Sequence, residues 1–527
     1  MIRRFLILSL CLVLGLSSSC DKESKAELER LQQELDNIKS EAVVTLPEAG
    51  QVEAPGEFDI TFDQDSYWVD AAGSVTAHYT LRQAATLEVT PTDGWSVVVN
   101  KSSDTEGDIV ITAPDPASPG LISIKALGSK GLSGEAMLQV NVRCPCTDAT
   151  CPTIEALAYN GFNPQISTLE NYQKMADAGI TMITVEGHPG FNWREQAINA
   201  AATGVKVILF INYQAGLYSD DPENYKGLDE LVKEAIQYPA IVAFQTADEP
   251  STERAYFLKT SKDRIEELAP NHPVYINLHP STVSQAGMMA LTYEDYVEYY
   301  ATVCNLKFIT FDHYPIFKSG VEHAWYRSLN VIYDTAKRHG IPFWAFAQSC
   351  REESRVDPTV ETMRLQCNVN LAYGAQCNQF FVWKATSGTD YAPIMEDGSY
   401  TQAYDDCKTY LHEMHNRDFV FAGCDVRAVR HIGIDYYLHG TCLAATDYPD
   451  AISDISSPGS ALVSFIGNNG NEYVVICNKA WNAKLPVNVT FTRDVYMIDR
   501  DGVFTAYQPG EASFTIDEGD MIVIKWK

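Results

Sequence analysis

The stretch Ile241-Val-Ala-Phe-Gln-Thr-Ala247, followed directly by Asp248-Glu249-Pro250, decides the fold predicted for this chain. A short apolar run is typical of a buried parallel strand, and this one delivers two acidic side chains at its carboxyl end. In a (β/α)8 barrel, catalytic side chains lie at that end of the strands. The acidic pair could instead start a helix, because Asp caps helices and Pro is tolerated in the first turn.

Seven further apolar runs alternate with amphipathic stretches between residues 150 and 419. The eight predicted strands cover residues 154–159, 182–186, 206–212, 241–247, 274–278, 308–311, 343–347 and 379–383. Predicted helices between them include residues 169–178, 228–236, 260–268, 324–338 and 360–371. This alternation indicates a (β/α)8 barrel over residues 150–419. A doubly wound sheet is disfavoured, because no glycine-rich phosphate loop follows the first strand.

The regions on both sides of the barrel have the pattern of β-sheet. Residues 57–143 contain about seven short alternating strands with Gly, Asp and Pro turns, which predicts a β-sandwich. It resembles the immunoglobulin-like modules of Bacteroidetes lipoproteins, and we expect a spacer, with glycan binding as the alternative. Residues 420–527 predict a second sandwich. The predicted fold is therefore multidomain, a central TIM barrel flanked by an N-terminal immunoglobulin-like β-sandwich and a C-terminal β-sandwich.

The first twenty residues have the features of a targeting segment. Arg3-Arg4 precede an apolar run of about a dozen residues, which is too short to span a bilayer. With Cys20 after three serines, the segment resembles a bacterial lipoprotein signal. This implies lipidation of Cys20 and an outer-membrane lipoprotein on the periplasmic or cell-surface face; an ordinary secretory signal is the alternative. Residues 21–56 predict a short helical stalk and linker, or a weak oligomerisation element.

Charge and cysteine content restrict the partners. The formal net charge of −30, from 69 acidic and 39 basic residues, argues against binding to nucleic acid or anionic membrane surfaces. The tight cluster Cys144, Cys146 and Cys151 predicts a disulfide or free thiols, since three cysteines without a nearby histidine are a weak zinc signature. The histidines near the predicted site are scattered over separate strand ends. We therefore predict no metal and no other cofactor.

Almost every predicted barrel strand ends in a polar or aromatic side chain. Because the strand ends share one rim, we expect these side chains to face one cavity. Amides and histidines can bind hydroxyl groups there, and aromatic rings can offer flat apolar faces. The predicted substrate-binding residues are Asn160, His188, Tyr213, Asp248, His279, Tyr314, Gln348 and Trp383.

Three motifs resemble a known family. Asp248-Glu249-Pro250 after the fourth strand is similar to the Asn-Glu-Pro motif of clan A (β/α)8 glycoside hydrolases, and residues 361–375 and 380–383 resemble the last helix and strand of their β-galactosidase-like members. The resemblance implies a carbohydrate substrate and Glu249 as the general acid. Retaining members carry a nucleophilic glutamate at the end of strand seven. Here that position is Gln348, and an amide cannot attack an anomeric carbon as a carboxylate can.

The sequence leaves the second carboxylate open. We rank Asp312 first, Glu186 second and the pair Glu352 and Glu353 third; Asp312 could instead anchor a neighbouring loop. Carboxyl groups about 5–5.5 Å apart would give retention of configuration, and a separation of about 6.5–9.5 Å would give inversion. The alternative to hydrolysis is a non-catalytic surface glycan-binding lipoprotein with a degenerate barrel, which the amide of Gln348 would suit.

Overall fold

The computed structural model describes residues 60–63, 67–70, 73–91, 94–114, 120–128, 133–143, 153–212, 223, 225–386, 388–433, 443–444 and 448–526. The predicted signal segment with Cys20, the stalk and linker, the cluster Cys144, Cys146 and Cys151, and Tyr213 lie outside these residues. In the described part of the chain, no helix is both long and apolar enough to cross a bilayer.

The N-terminal region consists of two four-stranded sheets. One has the order β1-β3-β6-β5 and is antiparallel, and the other has the order β2-β8-β7-β4, in which β2 runs parallel to β8. Ile109 and Ile111 of the first sheet share one buried core with Ile122 and Ile124 of the second. Alternating apolar residues thus form two facing sheets, and the immunoglobulin-like assignment stays a prediction. The strands are β1 (Ile60–Phe62), β2 (Tyr67–Asp70), β3 (Ser74–Leu81), β4 (Ala85–Thr90), β5 (Ser96–Lys101), β6 (Glu106–Thr112), β7 (Gly120–Gly128) and β8 (Ser133–Arg143).

A closed barrel of eight parallel strands occupies the middle of the chain. Its strands are β9 (Glu155–Ala158), β10 (Met182–Glu186), β11 (Lys206–Phe210), β12 (Ile241–Asp248), β13 (Val274–Leu278), β14 (Ile309–Phe311), β17 (Phe343–Gln348) and β18 (Cys377–Phe381). A hairpin of β15 (Ile316–Phe317) and β16 (Gly320–Val321) follows β14. The predicted barrel is confirmed, and its last strand begins two residues earlier than expected.

Helices alternate with the barrel strands as the amphipathic stretches predict. The helix Ala324–His339, for example, buries Leu329 and Ile332 and ends in three basic residues, which interact favourably with the C-terminal end of the helix dipole. The described helices are α1 (Leu169–Asp177), α2 (Trp193–Thr203), α3 (Tyr225–Ala235), α4 (Ala255–Leu268), α5 (Gln285–Met288), α6 (Tyr293–Val303), α7 (Ala324–His339), α8 (Val360–Ala372), α9 (Gln402–His415) and α10 (Asp418–Phe421).

Side chains fill the amino-terminal part of the barrel interior. The rings of Phe308 and Trp344 stack with centroids 4.2 Å apart, and the Tyr275 ring lies 6.0 Å from each of them. Met182 and Ile208 from the opposite strands complete this buried cluster. A TIM barrel is packed in this way rather than hollow, so the space for a ligand lies at the carboxyl ends of the strands.

The C-terminal region consists of two β-sheets that are antiparallel except for the parallel pair of β19 and β20, and the larger sheet packs against the barrel helices. A seven-stranded sheet has the order β20-β19-β22-β23-β28-β25-β26, and a three-stranded sheet has the order β21-β24-β27. Leu462 and Val475 of the larger sheet belong to the same buried core as helix α8. The strands are β19 (Asp425–Ile432), β20 (Leu443–Ala444), β21 (Ile452–Ser456), β22 (Ala461–Asn468), β23 (Asn471–Asn478), β24 (Leu485–Phe491), β25 (Val495–Ile498), β26 (Phe504–Tyr507), β27 (Gly510–Ile516) and β28 (Met521–Trp526).

Helices α8 and α9 are joined by a buried ion pair. The Arg364 guanidinium donates from Nε to Glu413 Oε2 at 2.8 Å and from Nη2 to Glu413 Oε1 at 2.5 Å, and the two side chains are only 9% and 8% exposed. Removing one member of such a pair leaves an uncompensated buried charge. The pair therefore holds the last two barrel helices in register.

We expect Glu413→Ala to destabilise the barrel by about 3–5 kcal/mol, because Arg364 then stays buried without a counter-charge. The matched control is Glu234→Ala, which breaks the exposed pair with Arg194 and should cost about 1 kcal/mol or less. Urea denaturation followed by circular dichroism measures both changes. Equal shifts of the unfolding midpoint in the two variants would contradict the structural role of the buried pair.

Candidate active site

A cavity of about 440 Å³ opens at the carboxyl ends of the barrel strands. Carboxylates, aromatic rings and one arginine share its wall, so the cavity can bind both polar groups and flat apolar faces. The described residues that line it are Tyr159, Asp248, Glu249, Asn277, Pro280, Thr282, Asp312, His313, Tyr314, Phe317, Glu322, Phe346, Glu352, Arg355 and Phe381.

The Asn277 side chain connects two acidic residues in the base of this cavity. Its amide nitrogen donates to Asp248 Oδ1 at 3.0 Å and to Asp312 Oδ1 at 3.1 Å. Parallel pairing brings these groups together, because Asp248 is in register with Asn277, and Asn277 with Thr310. Asp312 follows Thr310 by two residues, on the same face of its strand. Adjacent strands thus supply the two carboxylates and the amide that separates them.

A chain of buried hydrogen bonds orients the Asn277 amide. The Tyr275 hydroxyl donates to Gln379 Oε1 at 2.7 Å, and Gln379 Nε2 donates to Thr310 Oγ1 at 2.8 Å. The Thr310 hydroxyl in turn donates to Asn277 Oδ1 at 3.2 Å. The Thr310 hydroxyl also lies 3.4 Å from the Tyr275 hydroxyl, and its shorter contact is the one with Asn277 Oδ1, which directs both N–H groups of Asn277 at the carboxylates. Such satisfied networks fix one arrangement of a polar interior.

Glu249 leaves the strand in a turn that directs it to the cavity rim. Its backbone has φ of 45°, in the left-handed region that non-glycine residues rarely adopt. The Glu249 N–H donates to the Asn277 carbonyl oxygen at 2.9 Å, which holds this conformation. The side chain is 40% exposed, and its Oε1 lies 3.2 Å from Nδ1 of His279. Backbone strain of this kind concentrates at functional sites.

The carboxylates of the cluster differ in their electrostatic environment. Burial raises the pKa of Asp312 well above its usual range, and the charges of Glu249 and Asp248 raise it further. Burial also raises the pKa of Asp248, against the hydrogen bond from Asn277. By surface area Asp248 is exposed, and it lines the open cavity, so burial acts more strongly on Asp312 than on Asp248. Close carboxylates resist ionising together, and Asp312 therefore favours its protonated form.

Four aromatic rings form another part of the wall. The Tyr159 ring lies 5.1 Å from Phe346, and the Tyr314 ring lies 5.2 Å from Phe381. Phe346 and Phe381 are not among the residues predicted from the sequence. Both lie near the carboxyl ends of barrel strands, Phe346 in β17 and Phe381 as the last residue of β18, so their position in the strands could have indicated them. The rings provide flat apolar surface beside the carboxylates.

Loops after strands β14 and β17 supply further residues of the cavity wall. His313 Nε2 lies 2.8 Å from Glu322 Oε2, just after the β15–β16 hairpin. Glu352 forms a direct ion pair with Arg355, whose guanidinium stacks 4.6 Å from the Phe317 ring centroid. Glu322, Arg355 and Phe317 escaped the sequence analysis because they lie on loops beyond the strand ends. Glu352 was the third-ranked candidate, and it does line the cavity.

Several predicted residues lie outside the set that lines the cavity. The Asn160 backbone N–H donates to Thr184 Oγ1 at 2.9 Å, and His188 Nδ1 accepts from the Gly190 N–H at 3.1 Å to cap a short helix. Glu186 ends strand β10, where burial raises its pKa. Tyr314 and Asp248 line the cavity as predicted from the sequence, and His279 lies beside Glu249.

Gln348 and Trp383 are buried behind the cavity wall. The Gln348 amide donates to the carbonyl oxygens of Cys350 at 2.7 Å and Val356 at 3.2 Å, in the loop that follows its strand. The Trp383 side chain is fully buried, with its ring 6.1 Å from Tyr404. Gln348 is thus bound to the loop after strand β17, and Trp383 packs against Tyr404 of helix α9. Neither side chain is among the residues that line the cavity.

The raised pKa of Asp312 predicts a stability that falls with increasing pH. The native state holds a proton that the unfolded chain releases above about pH 4, so native stability decreases as pH rises from there. Asp312→Asn should remove this decrease, so the variant should melt at a higher temperature than wild type at pH 8. Each kcal/mol gained in the free energy of unfolding corresponds to a rise of about 2–4 °C in melting temperature. The difference between the two proteins should vanish near pH 4. Asn can still accept the hydrogen bond from Asn277.

Thermal melting at pH 4 and pH 8 measures this difference. The matched control is Asp397→Asn, because hydrogen bonds from Ser399 lower the pKa of Asp397 and its replacement should give no gain at pH 8. A wild-type protein that is more stable than Asp312→Asn at pH 8 would contradict the electrostatic description of the cluster.

The chain is similar to several solved structures at low sequence identity. No curated relative matches the chain in sequence. Among solved structures, a candidate glycoside hydrolase from Bacteroides vulgatus ATCC 8482 has 10% identity and a TM-score of 0.38, covering 87% of this chain and 99% of that one. The GH5 xyloglucanase of Bacteroides ovatus has 10% identity and a TM-score of 0.31, covering 68% and 100%. At TM-scores below 0.5, these similarities carry no functional argument.

A family model provides the more direct comparison. The model of a glycoside hydrolase family described as β-galactosidase matches residues 244–416. The match begins within strand β12 and includes Asp248, Glu249 and Asp312. Together with the closed parallel barrel, it confirms the clan A-type (β/α)8 glycoside hydrolase predicted from the sequence, and the chain is a glycosidase.

Proposed function

We propose that this enzyme hydrolyses a glycosidic bond of an oligo- or polysaccharide by carboxylate catalysis, with Glu249 as the general acid. One observation supports this most strongly: Asp248, Glu249 and Asp312 line the same cavity as four aromatic rings. Aromatic faces pack against sugar rings, and a protonated carboxyl group can protonate a departing glycosidic oxygen.

Glu249 is the acid best placed to reach a substrate. Its side chain is 40% exposed at the rim, whereas Asp312 is less exposed and is held by Asn277. A general acid must keep a proton near neutral pH. Burial raises the pKa values of the neighbouring Asp248 and Asp312, so these two carboxyl groups favour their protonated forms beside Glu249.

Asp312 enters the proposal as a carboxyl group that lines the same cavity as Glu249. The sequence ranks it first as the second catalytic carboxylate, and its place in the cavity supports a part in the chemistry. Its environment favours the neutral form, in which it cannot take a proton from water. Glu186, which the sequence ranks second, lies outside the set that lines the cavity and takes no part in the proposal.

The test replaces the acid and varies the leaving group. Glu249→Gln should lower kcat by about 10²–10⁴-fold on the natural saccharide, because the leaving oxygen is no longer protonated. The loss should be much smaller on an aryl glycoside whose phenol leaves without protonation. Rates are measured with the substrate that a saccharide panel identifies. The control is Glu253→Gln, an exposed glutamate four residues further along the chain, which should keep wild-type rates.

Two results would contradict the proposed function. Equal turnover by wild type and Glu249→Gln would remove Glu249 from the chemistry. A wild-type protein that binds saccharides from the panel but cleaves none would instead support the alternative of a non-catalytic glycan-binding protein.

A further inference from the structure

The end of strand β17 lacks the carboxylate with which retaining clan members attack the sugar. Gln348 takes that position, and it is only 2% exposed. Its amide donates to the carbonyl oxygens of Cys350 and Val356, and the side chain is not among the residues that line the cavity. A retaining reaction in this cavity therefore needs a different nucleophile.

Three other acidic residues of the cavity are poorly suited to replace it. Burial favours the neutral form of Asp312, which is a weak nucleophile. Glu352 forms a direct ion pair with Arg355, so a fixed cation neutralises its charge. The hydrogen bond with His313 lowers the pKa of Glu322, and a less basic carboxylate attacks more slowly. The substrate itself is a further source of a nucleophile, as in substrate-assisted glycosidases.

Asp248 and Glu249 are consecutive carboxylates that reach different parts of the cavity. Asp248 is exposed in its base, where hydrogen bonds from Asn277 and Tyr159 favour the ionised form against the effect of burial on its pKa. The left-handed turn at Glu249 carries the next carboxyl group to the rim. One strand end thus supplies an acid for the leaving oxygen and, beside it, a carboxylate that can accept a hydrogen bond from the substrate.

The surroundings of Asp248 match the three parts of an acetamido group. Its carboxylate can accept from the amide N–H. In the described part of the chain the Tyr314 hydroxyl has no hydrogen-bond partner, and it can donate to the amide carbonyl oxygen. Burial raises the pKa of Tyr314, and the charges of Asp312 and Asp248 raise it further, so the phenol keeps its proton.

The aromatic wall offers an apolar surface for the methyl carbon of the same group. The Tyr314 ring lies 5.2 Å from Phe381 and 6.2 Å from Phe346, and the Tyr159 ring lies 6.2 Å from Phe381. These four rings are one cluster, and Tyr159 connects it to Asp248 through their hydrogen bond. An acceptor, a donor and an apolar surface therefore lie together beside the acid.

Resting on the proposed function, we propose that the substrate is an N-acetylhexosaminide whose acetamido carbonyl oxygen is the nucleophile, with Asp248 binding the amide N–H and Tyr314 the carbonyl oxygen. That oxygen bonds to the anomeric carbon, the bond to the leaving oxygen breaks, and the leaving oxygen takes the proton of Glu249. The resulting ring is an oxazolinium ion, whose positive charge the carboxylate of Asp248 stabilises.

Water completes the reaction. Its oxygen bonds to the anomeric carbon, one of its protons passes to the Glu249 carboxylate, and the bond from the anomeric carbon to the acetamido oxygen breaks. The acetamido group and the acid are thereby restored. Two displacements at one carbon retain the anomeric configuration, in agreement with the retaining members of the clan.

The first test uses wild type alone. Its kcat/KM should be at least about 10²-fold higher for aryl β-glycosides of N-acetylglucosamine or N-acetylgalactosamine than for those of glucose and galactose, because only the former carry the nucleophile. Stepwise fluorination of the acetyl methyl group should lower kcat with each fluorine, since the carbonyl oxygen becomes a weaker nucleophile. NMR of the first product should show the retained anomer.

The second test replaces the residues that hold the acetamido group. Asp248→Asn should lower kcat on the N-acetylhexosaminide by about 10²–10³-fold, because the charge that stabilises the oxazolinium ion is lost. It should also weaken inhibition by a sugar-fused methylthiazoline, a stable analogue of that ring. Tyr314→Phe keeps the ring and should cause a smaller loss of kcat. The control is Asp263→Asn on the outer face of helix α4, which should keep wild-type rates, and melting temperatures show whether each variant is folded.

The possible outcomes distinguish this inference from the proposed function. Equal kcat/KM for glycosides with and without the acetamido group overturns the inference, while the Glu249 result stands. A covalent adduct on Glu352 or another carboxylate also overturns it, when mass spectrometry follows an aryl glycoside that carries fluorine beside the anomeric carbon. If wild type cleaves no glycoside, the proposed function fails and this inference fails with it.

Discussion

The two hydrogen bonds from the Asn277 amide to Asp248 and Asp312 are the interaction on which the site depends. They keep two carboxylates side by side in the base of the cavity, joined by one amide nitrogen. The amide can do this only in one orientation, which the buried chain from Tyr275 through Gln379 and Thr310 enforces. That chain exists because eight parallel strands bring these residues into register across the barrel interior.

The barrel could be predicted from the sequence because its signal is local. Each strand is a short apolar run, and acidic or amide residues follow several of them, so both the strand positions and the cluster of Asp248, Glu249 and Asp312 could be located. Gln348 and Trp383 show the limit of this reasoning. Both lie at strand ends as expected, but the following loops fold back over them, and the path of a loop depends on tertiary packing rather than on periodicity.

The same limit explains what the sequence did not indicate. Glu322, Arg355 and Phe317 reach the cavity from loops, and no spacing in the chain connects them with Glu249. Sequence patterns likewise do not show which acidic side chains favour their protonated forms. Burial raises the pKa of Asp312, whereas the contact with His313 lowers the pKa of Glu322. Proteins accept such costly buried charges where chemistry requires them.

The pH dependence of kcat/KM for saccharide hydrolysis, measured on wild type and Asp312→Asn, tests the central claim most directly. The claim is that the carboxyl groups of Asp248, Glu249 and Asp312 act together on the acid that protonates the leaving oxygen. Loss of the proton of that acid sets the alkaline limb of the profile. At alkaline pH, where Asp312 would also ionise, the variant lacks the negative charge that opposes this loss, so the alkaline limb should move to lower pH in the variant. An unchanged alkaline limb, or one that moves to higher pH, would contradict the account.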